Sequence, residues 1–422
     1  MAKSNKLAFG TNSSVVVKKC QICNFQKLTP LLFLGFLPPV NTMQIIGERP
    51  HEQPGYPAHW LYCPRCHLVQ LGLIVDPKIL FPPEYPYTSS TTKVLRENFA
   101  ELARECKKLI KMDSKDLVLD IGSNDGNLLN YFKDNYRVLG ITPEDVGKEA
   151  IKNGIDTYIA FFNHQSTKKV LEEKGKAKII TATNVFAHME NIHDILDDII
   201  RLLKGDGVFI SESHYLYSLI KTLQYDTIYH EHIRYYSLHS LKYLLKMHDL
   251  EVFHAKKIPP HGGSIRVYAA RPGKYKVLNS VSSMLAMEKG TVTNKKRLLV
   301  FKDDVVLSKL KLHSLLLGIK KKGKKIYGIG APSRGSTLVN YVGIDDGIVD
   351  CVLEIKGSQK IGKYIPGTVI PVLEESKLYR DQPDYALLLS WHIADELAPK
   401  IKQKGFRGKF IVPLPTPRII IG

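Results

Sequence analysis

The segment DLVLDIGSNDGNLL, residues 116–129, decides the fold of this chain. Its first part is a short apolar run typical of a buried parallel strand, and its glycines then permit a tight turn into a helix. Asp120 stands at the end of the predicted strand, and Gly122 and Gly126 are the glycines of the turn. The segment therefore predicts the first unit of an open α/β sheet, whose ligand lies at the carboxyl ends of the strands.

The chemistry of this turn favours S-adenosylmethionine (SAM) over a dinucleotide. Its glycines do not have the GxGxxG spacing that cradles a pyrophosphate. They let the backbone approach the amino-acid portion of SAM, and the acidic residue at the strand end can meet the positive ammonium group. The SAM-binding residues predicted in this turn are Asp120, Gly122, Asn124, Asp125 and Gly126.

Two further strand ends extend the predicted SAM site. The strand YRVLGIT ends at Thr142, where an acid for the ribose diol is expected. Glu144 stands two residues later and can replace that acid, or Thr142 can donate a weaker hydrogen bond. The strand at residues 178–183 runs into NVFAH, which places its residues near the same ligand. The predicted cofactor-binding set is completed by Thr142, Pro143, Asn184, Val185 and Phe186.

Composition indicates an ordinary soluble protein with several domains. The chain has 422 residues, of which 44% are hydrophobic and 24% are charged. We expect a cytoplasmic protein without a membrane partner, because no signal peptide and no run of eighteen apolar residues are found. The net charge of +19 raises nucleic acid as a partner, but only 14 of the 60 basic residues are arginine. The lysines are spread through helical segments, so nucleic acid is not the expected partner.

Two CxxC pairs near the start of the chain predict a structural zinc site. Each pair can direct two thiolates at one tetrahedral ion, and four cysteines leave no open coordination position. Disulfides are the weaker alternative in a chain without a secretory signal. The predicted Zn²⁺ ligands are Cys20, Cys23, Cys63 and Cys66. Cys106 and Cys351 have no such partners and are expected to be buried packing residues.

The stretch YHEHIRYYS, residues 229–237, concentrates groups that titrate near neutral pH or donate hydrogen bonds. On its own, this stretch is equally consistent with a polar surface and with an active site. Two other stretches leave similar alternatives. HGGSIR, residues 261–266, suits the approach of an anion but also a hairpin turn. The Pro-rich run at residues 81–92 can be a lid over a ligand or a linker that caps the next helix.

The order of these motifs resembles one known family. CxxC…CxxC, YPYTSS, DIGSNDGNLL, NVFAH, YHEHIRYYS and HGGSIR occur in the order found in SAM-dependent sugar C-methyltransferases of deoxysugar pathways. The resemblance runs from Cys20 to about residue 413. It departs from the family at APSR, residues 331–334, where the family usually carries Ala-Lys, and at His392, which replaces a common Asn.

The resemblance implies an α/β fold with a class I SAM-methyltransferase Rossmann-like domain, a small zinc-binding module before it and a second Rossmann-like domain after it. We place the zinc module at residues 15–80 and the SAM domain at residues 81–275. A helical linker is placed at 276–322 and the third domain, which helps to hold a nucleotide sugar, at 323–422. Predicted strands at residues 325–329, 348–354, 385–389 and 409–413 agree with that third domain.

The resemblance also implies an active site lined by Tyr87, His188, Tyr229, Glu231 and His232. Methylation at carbon needs a base that removes a proton next to a ketone and donors that stabilise the enolate. We expect His232 to be the base and Glu231 to orient it. Tyr229 and His188 would bond the keto oxygen, Tyr87 would close over the ligand, and His230 would point away. The predicted substrate-binding residues are His261, Gly262, Gly263, Ser264, Arg266, Arg334 and Lys363.

Two other functions compete with this one. An NAD(P)-dependent oxidoreductase could use the glycines of GIG at residues 328–330, with Arg334 on a 2′-phosphate. A zinc-bearing nucleic-acid binder or RNA methyltransferase would explain the basic charge, and it predicts a steep dependence of binding on salt. The expected substrate is a nucleoside-diphosphate keto-deoxysugar, which SAM methylates on carbon.

Overall fold

The two CxxC pairs join a small antiparallel sheet in the computed structural model, which describes residues 14–48, 53–81 and 93–421. Each pair closes a backbone knuckle, and the residue after each pair, Asn24 and His67, has a positive φ. The elements of this part are β1 (Val15–Val16), β2 (Thr29–Leu37), β3 (Tyr56–Tyr62), β4 (Val69–Leu71), β5 (Leu73–Ile74) and α1 (Pro77–Leu80). β1 pairs with β5, and β2, β3 and β4 form a separate sheet.

The segment at residues 116–129 begins a seven-stranded sheet with the order β12-β13-β10-β9-β6-β7-β8. Its strands are β6 (Leu117–Ile121), β7 (Arg137–Thr142), β8 (Thr157–Ile159), β9 (Ala177–Thr183), β10 (Leu203–His214), β12 (Glu251–Ile258) and β13 (Ser264–Ala270). β6 to β10 are parallel, and β13 pairs antiparallel with β10 and β12. The chain reverses direction across the sheet between β6 and β9, which is where ligands bind in open α/β sheets.

Helices cover both faces of this sheet. They are α2 (Lys93–Leu109), α3 (Gly147–Lys152), α4 (His164–Glu173), α5 (Ile192–Leu202), α6 (Leu216–Lys221) and α7 (Leu238–Met247). All five residues of β6 are buried, as expected for a parallel strand covered on both sides. The sequence pattern predicts helices at residues 93–109 and 238–247, and the observed α2 and α7 have these bounds.

The stretch at residues 229–237 leaves the central domain and joins the N-terminal sheet. Its strand β11 (Arg234–Tyr235) pairs antiparallel with β4, which gives the order β11-β4-β3-β2. Residues 229–232 form a turn, because the amide of His232 donates to the carbonyl of Tyr229 at 3.0 Å. A 3-10 helix at Tyr225–Thr227 precedes this turn.

A six-stranded sheet completes the fold. The helices α8 (Asn279–Glu288) and α9 (Lys295–Lys320) lead to β14 (Ile326–Ile329), α10 (Ser333–Val342), β15 (Cys351–Glu354), β16 (Val372–Glu374), α11 (Ser376–Asp381), β17 (Tyr385–Leu388), α12 (Ala394–Gln403), β18 (Lys409–Val412) and β19 (Arg418–Ile420). The order β16-β15-β14-β17-β18-β19 is parallel except for the edge strand β19, and is therefore a second Rossmann-like arrangement.

Apolar packing joins the N-terminal sheet to the C-terminal one. Buried residues of β2, β3, α9 and β14 belong to one continuous cluster, in which the rings of Trp60 and Phe301 lie 5.5 Å apart. The cysteine knuckles pack instead on the central sheet. In the part of the chain that the structure describes, no helix is long and apolar enough to cross a lipid bilayer.

Candidate active site

One cavity of about 1900 Å³ connects the carboxyl ends of the central strands with the start of α10. Its walls include Gly122 and Asn184 at one end, His232 in the middle and Arg334 at the other end. Single small-molecule pockets have volumes of roughly 300–1,000 Å³. The cavity therefore has room for two ligands side by side.

The first end of the cavity is shaped by a glycine turn. Gly122 has φ +73°, and a Cβ on it would lie 2.4 Å from Cγ1 of Val185. Asn124 and Asn184 also have positive φ, so both strand ends turn sharply toward the cavity. Only glycine fits between the two turns, because any side chain would meet Val185.

Two carboxylates face this end of the cavity. Asp120 accepts a hydrogen bond of 2.6 Å from the hydroxyl of Thr181, and its burial raises the pKa of its carboxyl to about 7. Glu144 accepts a bond of 2.8 Å from the hydroxyl of Thr142 and lies 3.4 Å from the side-chain nitrogen of Asn124. Thr142 and Glu144 were the two alternatives for binding the ribose diol. They are hydrogen-bonded to each other, and Thr142 holds Glu144 at the cavity wall.

Unpaired polar atoms indicate that this end is built for a polar ligand. Among the described residues, Ser123 Oγ, Asn184 Oδ1 and Ser213 Oγ are buried without a hydrogen-bond partner. All three residues line the cavity. Buried polar groups are normally bonded, so these atoms together with the glycine turn fit a cofactor such as SAM.

The structure corrects part of the predicted SAM set. Phe186 lies in the core, where its ring stacks on Tyr236 at 5.6 Å, because the turn at Asn184 breaks the alternation of a strand. Asp125 accepts a bond from the amide of Asn127, and so it stabilises the turn itself. Gly126 is needed for packing, since its Cβ would lie 2.6 Å from Ile155.

Four histidines and a tyrosine form the middle of the cavity. The ring of His232 lies 4.2 Å from Tyr229, 4.6 Å from His214 and 5.0 Å from His188, and His261 stacks on His214 at 5.1 Å. Burial lowers the pKa of His232 and of His261 to about 4 and holds the pKa values of His188 and His214 well below 6.5. All four imidazoles are therefore neutral at pH 7.

The backbone fixes which nitrogen of His232 carries the proton. Nδ1 lies 2.8 Å from the carbonyl oxygen of Thr227, an acceptor that requires Nδ1–H. The lone pair of the neutral ring is then on Nε2. His232 thus has the form of a proton acceptor, although its orienting group differs from the predicted one.

That group was predicted to be Glu231, and the prediction is wrong. Thr227 orients His232, while Oε1 of Glu231 accepts a bond of 2.6 Å from the side chain of Asn41 in the N-terminal module. Glu231 still lines the cavity. It lies near Tyr229, and burial followed by this carboxylate raises the pKa of the Tyr229 phenol well above 10, so the phenol stays protonated.

His230 turns away from the cavity, as expected, although the expectation was based on the alternating faces of an extended segment. It packs edge-on against Tyr56 at 5.8 Å, inside the N-terminal module. The segment is a turn, so the alternation of an extended strand does not apply to it. Tyr87, predicted to close over the ligand, lies outside the described residues.

The HGGSIR turn reaches the cavity only through His261. A Cβ on Gly262 would lie 2.8 Å from Gln224, and one on Gly263 would lie 2.6 Å from Ser218, so these glycines serve close packing. Ser264 is buried within β13, and its hydroxyl donates to the carbonyl of Pro260. The prediction that these three residues bind substrate is therefore corrected.

Arg266 is also misassigned, because its guanidinium is fully buried in a protein network. It donates to Glu212 at 2.5 Å and to Glu105 at 3.0 Å, and it contacts Glu101 and Asn98. These acceptors tie β13 to β10 and α2. A guanidinium with this many partners is structural.

The C-terminal sheet contributes Arg334 and Lys360 to the far end of the cavity. Arg334 makes two bonds of 2.8 Å to the carboxylate of Asp226. Lys360 donates to the carbonyl of Ala331 at 2.6 Å, and burial lowers the pKa of its ammonium. Lys363, the predicted substrate ligand, lies beside Ile45 in an isolated β-bridge, so Lys360 replaces it at the cavity.

The glycine turn of this sheet is closed by the protein itself. The amide of Ala331 donates to the carboxylate of Glu354 at 2.6 Å, and Lys360 bonds the carbonyl of the same residue. Glu354 ends β15, the position from which an acid would bind the ribose of a dinucleotide. This arrangement does not favour the oxidoreductase alternative.

Four residues at the site or in contact with its residues were not predicted from the sequence: His214, Asn41, Lys360 and Asp226. His214 ends β10 and carried a detectable signal, since strand ends face the ligand in this fold. The other three had no motif, because their roles depend on contacts between distant parts of the chain.

The four predicted zinc ligands come together. Their sulfur atoms all lie within 4.8 Å of one another, with 3.4 Å between Cys20 and Cys66 and 3.5 Å between Cys23 and Cys63. Four thiolates at this spacing suit a tetrahedral Zn²⁺. The cluster lies in the N-terminal module, and four cysteine ligands would leave no open coordination position on an ion held there.

Three family models match consecutive parts of the chain. A zinc binding domain matches residues 20–81, a methyltransferase domain matches residues 93–255, and a C-methyltransferase C-terminal domain matches residues 259–415. The last match begins at residue 259, so it includes β13 of the central sheet together with the C-terminal sheet.

Among solved structures, the PH0226 protein of Pyrococcus horikoshii has 15% identity and a TM-score of 0.36, covering 47% of this chain and 96% of that one. A SAM-dependent methyltransferase of Clostridium acetobutylicum has 14% identity and a TM-score of 0.33, covering 44% and 94%. Because both scores are low, the fold is assigned from strand order and the family models.

One curated relative aligns along almost the whole chain. The C-methyltransferase NovU of Streptomyces niveus is 31% identical over 411 residues, which cover 96% of this chain and 97% of NovU. The glycine turn, the buried histidines and the four cysteines all lie within matched domains. The chain therefore belongs to the SAM-dependent C-methyltransferase family that its motifs resemble.

Proposed function

We propose that this enzyme methylates a carbon next to the ketone of a nucleoside-diphosphate keto-deoxysugar. The observation that carries the proposal is the neutral His232, whose Nδ1 is held by the Thr227 carbonyl while its other nitrogen is available as a base. Methylation at carbon needs such a base, because an unactivated C–H bond is not nucleophilic. A methyltransferase acting on a neutral amine has less need of it, because the nitrogen lone pair is already nucleophilic.

The first end of the cavity would hold SAM, which supplies an electrophilic methyl group when it is bound. Asp120 would meet the ammonium, since a positive group beside it favours the ionised carboxylate. Glu144, held by Thr142, would accept from the ribose hydroxyls. Gly122 and Asn184 give the backbone its close approach.

His232 would remove the proton from the carbon next to the ketone. Its neutral state at pH 7 leaves the Nε2 lone pair free to accept that proton. The Thr227 carbonyl would then stabilise the imidazolium through the bond to Nδ1. This second contribution offsets part of the cost of charging a buried ring.

Tyr229 and His188 would stabilise the enolate oxygen. The Tyr229 phenol stays protonated because burial raises its pKa, and it lies beside His232. Neutral His188 has one N–H and would donate it to the same oxygen in the tautomer whose N–H faces the substrate. Preorganised donors of this kind lower the barrier without needing to reorient during the reaction.

The far end of the cavity would take the nucleoside diphosphate. Lys360 brings an ammonium to the wall there, and His261 and Ser333 add polar groups. NovU bears the name of a C-methyltransferase and aligns through the C-terminal domain as well as the central one, which supports a shared kind of chemistry.

A direct test uses purified zinc-loaded protein, SAM with a ¹³C-methyl group and a panel of nucleoside-diphosphate sugars. The panel pairs 4-keto-deoxysugars with the matching 4-hydroxy sugars. We expect the ¹³C label on a carbon of a keto-sugar, read by mass spectrometry and by a C–CH₃ signal in NMR. Label on oxygen, or equal transfer to the hydroxy sugars, would contradict the proposal.

His232→Gln provides the matched control, because glutamine keeps a donor for the Thr227 carbonyl but cannot accept a proton. We expect it to bind SAM normally in calorimetry and to lose methyl transfer by about 10²–10⁴-fold. His230→Gln, on a neighbouring ring outside the cavity, should keep most of the activity. If His232→Gln turned over at the wild-type rate, the base would be another residue.

A further inference from the structure

Arg334 lies where the C-terminal sheet meets the segment that carries His232. It stands in the first turn of α10, is almost fully buried, and grips both oxygens of Asp226 at 2.8 Å. The indole nitrogen of Trp391, also from the C-terminal part, donates to the same carboxylate at 2.7 Å. Asp226 itself is fully buried. Both of these donors to its carboxylate come from the C-terminal part of the chain.

Asp226 belongs to the 3-10 helix Tyr225–Thr227, whose last carbonyl holds His232. Asp226 and Thr227 are neighbours in this helix and both are buried, so a displacement of the Asp226 carboxylate is expected to move the Thr227 carbonyl. The carboxylate gripped by Arg334 and the carbonyl that orients the base are therefore in adjacent residues. No flexible segment lies between them.

Arg334 makes two further hydrogen bonds, which reach the opposite wall of the cavity. Its Nη1 donates to the carbonyl of His261 at 3.3 Å, and its Nη2 donates to the side chain of Gln224, also at 3.3 Å. Gln224 in turn donates to the carbonyl of Gly262 at 2.7 Å. One guanidinium thus joins both sides of the imidazole cluster.

We propose that Arg334 is a positioning residue, which sets the tautomer and orientation of His232 through Asp226 and the Thr227 carbonyl. This inference rests on the proposed function of His232. It replaces the expectation that Arg334 mainly binds substrate, because the face of the guanidinium that carries Nε and Nη2 is bonded to Asp226. The C-terminal domain would then help to orient the catalytic base, His232, as well as to form the substrate pocket.

Two variants separate positioning from binding. Arg334→Lys keeps the charge and loses the planar fork, and Asp226→Asn keeps the shape and loses the charge. We expect both to lower kcat by about 100-fold, the typical cost of a misplaced catalytic group, with little change in KM for the nucleotide sugar. Arg297→Lys, at a half-buried ion pair with Asp304 on α9 and away from the cavity, is the matched control.

A second readout does not need a substrate. In the folded wild type, ¹⁵N NMR of the His232 ring, assigned by difference with His232→Gln, should show Nδ1 protonated. Arg334→Lys should show a mixture of both tautomers. If the variants unfold, Trp391→Phe removes one donor to Asp226 and leaves the ion pair, and a smaller shift in the same direction is expected.

The outcomes distinguish this inference from the proposed function. Wild-type protein without methyl transfer to any keto-sugar would contradict the proposed function, whatever the ring shows. Active wild type with an unchanged His232 tautomer in Arg334→Lys would overturn the positioning role. A large rise in KM at unchanged kcat would do the same, and would return Arg334 to substrate binding.

A separate observation concerns the outward face of α9. Six aliphatic residues of this helix are exposed, although its inner face is already buried in the core. Four of them, Leu299, Val306, Leu310 and Leu317, follow spacings of seven, four and seven residues, and so they lie in one line along the helix. The line is about 27 Å long at 1.5 Å per residue.

This line is symmetric about the level of residue 308. Leu299 then mirrors Leu317, and Val306 mirrors Leu310. The exposed Asp303 mirrors the exposed His313, which lies on the same face. Two antiparallel copies of α9 would therefore match apolar residues with apolar residues and an acid with an imidazole. We infer that the occupant of this face is a second copy of the chain, related by a two-fold axis.

Sedimentation velocity over a concentration series tests this pairing. We expect a dimer that Leu310→Lys converts to monomer, while Phe36→Lys, at an exposed aromatic on β2, leaves it intact. Asp303→Lys and His313→Glu should each weaken it, and the double variant should restore it, since only the antiparallel register pairs these positions. A monomer at all concentrations would overturn the inference. So would a dimer that resists Leu310→Lys, or binding of α9 to lipid vesicles in place of self-association.

Discussion

The central and C-terminal sheets share a Rossmann-like arrangement but use their first turns differently. In the central sheet, Gly122 faces the cavity and the neighbouring Asn184 Oδ1 has no partner among the described residues. In the C-terminal sheet, the turn after β14 is bonded on both sides, by Glu354 at the Ala331 amide and by Lys360 at its carbonyl. One turn is open to a ligand, and the other is filled by the protein's own side chains.

The difference shows that strand order alone does not predict a cofactor site. Both sheets offer a glycine turn and an acid near the end of the second strand. What separates them is whether the polar side chains at the turn are already satisfied, since Ser123 Oγ and Asn184 Oδ1 are buried without a partner among the described residues. We therefore assign SAM to the central sheet, and assign to the C-terminal sheet the role of completing the cavity.

The largest expected effect comes from adding a methyl group to each turn. Gly122→Ala would place a Cβ 2.4 Å from Val185 at φ +73°, and Gly330→Ala would place one 2.8 Å from Ser390 at φ +77°. Both changes strain the backbone by about 1–3 kcal/mol. Only Gly122→Ala should weaken SAM binding in calorimetry, by about 100-fold. Equal losses of SAM affinity in the two variants would break the comparison.

The next effect is the dependence of SAM binding on pH. Burial raises the pKa of Asp120 to about 7 in the free protein, and a bound ammonium would lower it. Binding therefore releases a proton below pH 7, and SAM affinity should fall by up to about tenfold per pH unit as the pH drops from 7 to 6. The affinity should level off between pH 7 and 8, where the Asp120 carboxyl is increasingly ionised in the free protein.

Calorimetry in buffers with different ionisation enthalpies checks this proton release directly. Asp120→Asn should bind SAM more weakly, with no dependence on pH over the same range. A wild-type affinity that stays flat between pH 6 and 8 would show that Asp120 does not meet the ammonium.

The two acids at the second strands should give a smaller contrast. Glu144→Gln should weaken SAM binding by about tenfold, since a hydrogen bond to a charged group contributes about 1.5–3 kcal/mol. Glu354→Gln should leave SAM affinity unchanged and lower the melting temperature, because it weakens the bond to the Ala331 amide. The reverse pattern would move the cofactor to the C-terminal sheet.

Local patterns predicted much of this architecture, because the apolar runs and caps of individual elements are encoded nearby in the chain. The helices α2 and α7 have their predicted bounds, and the four cysteines meet. The site was predicted less well where side chains in a turn were expected to alternate between two faces, as they do in a strand. Phe186 enters the core for this reason, whereas His230 points away from the cavity as expected and packs against Tyr56.

Contacts between distant segments could not be predicted from one sequence. The partner of Glu231 is Asn41, 190 residues earlier, and the partner of Arg334 is Asp226, 108 residues earlier. Such pairs depend on how three sheets pack, and no local spacing encodes that. The role of Thr227 was hidden for another reason, since a backbone carbonyl has no sequence signature.

Proton removal from the keto-sugar tests the central claim most directly. The enzyme is incubated in D₂O with the keto-sugar found in the labelling experiment and with S-adenosylhomocysteine, which carries no transferable methyl group. We predict that wild-type protein incorporates deuterium at the carbon that becomes methylated, and that His232→Gln reduces the rate by about 10²–10⁴-fold. Incorporation at the wild-type rate in His232→Gln would contradict the account, because another group would then be the base.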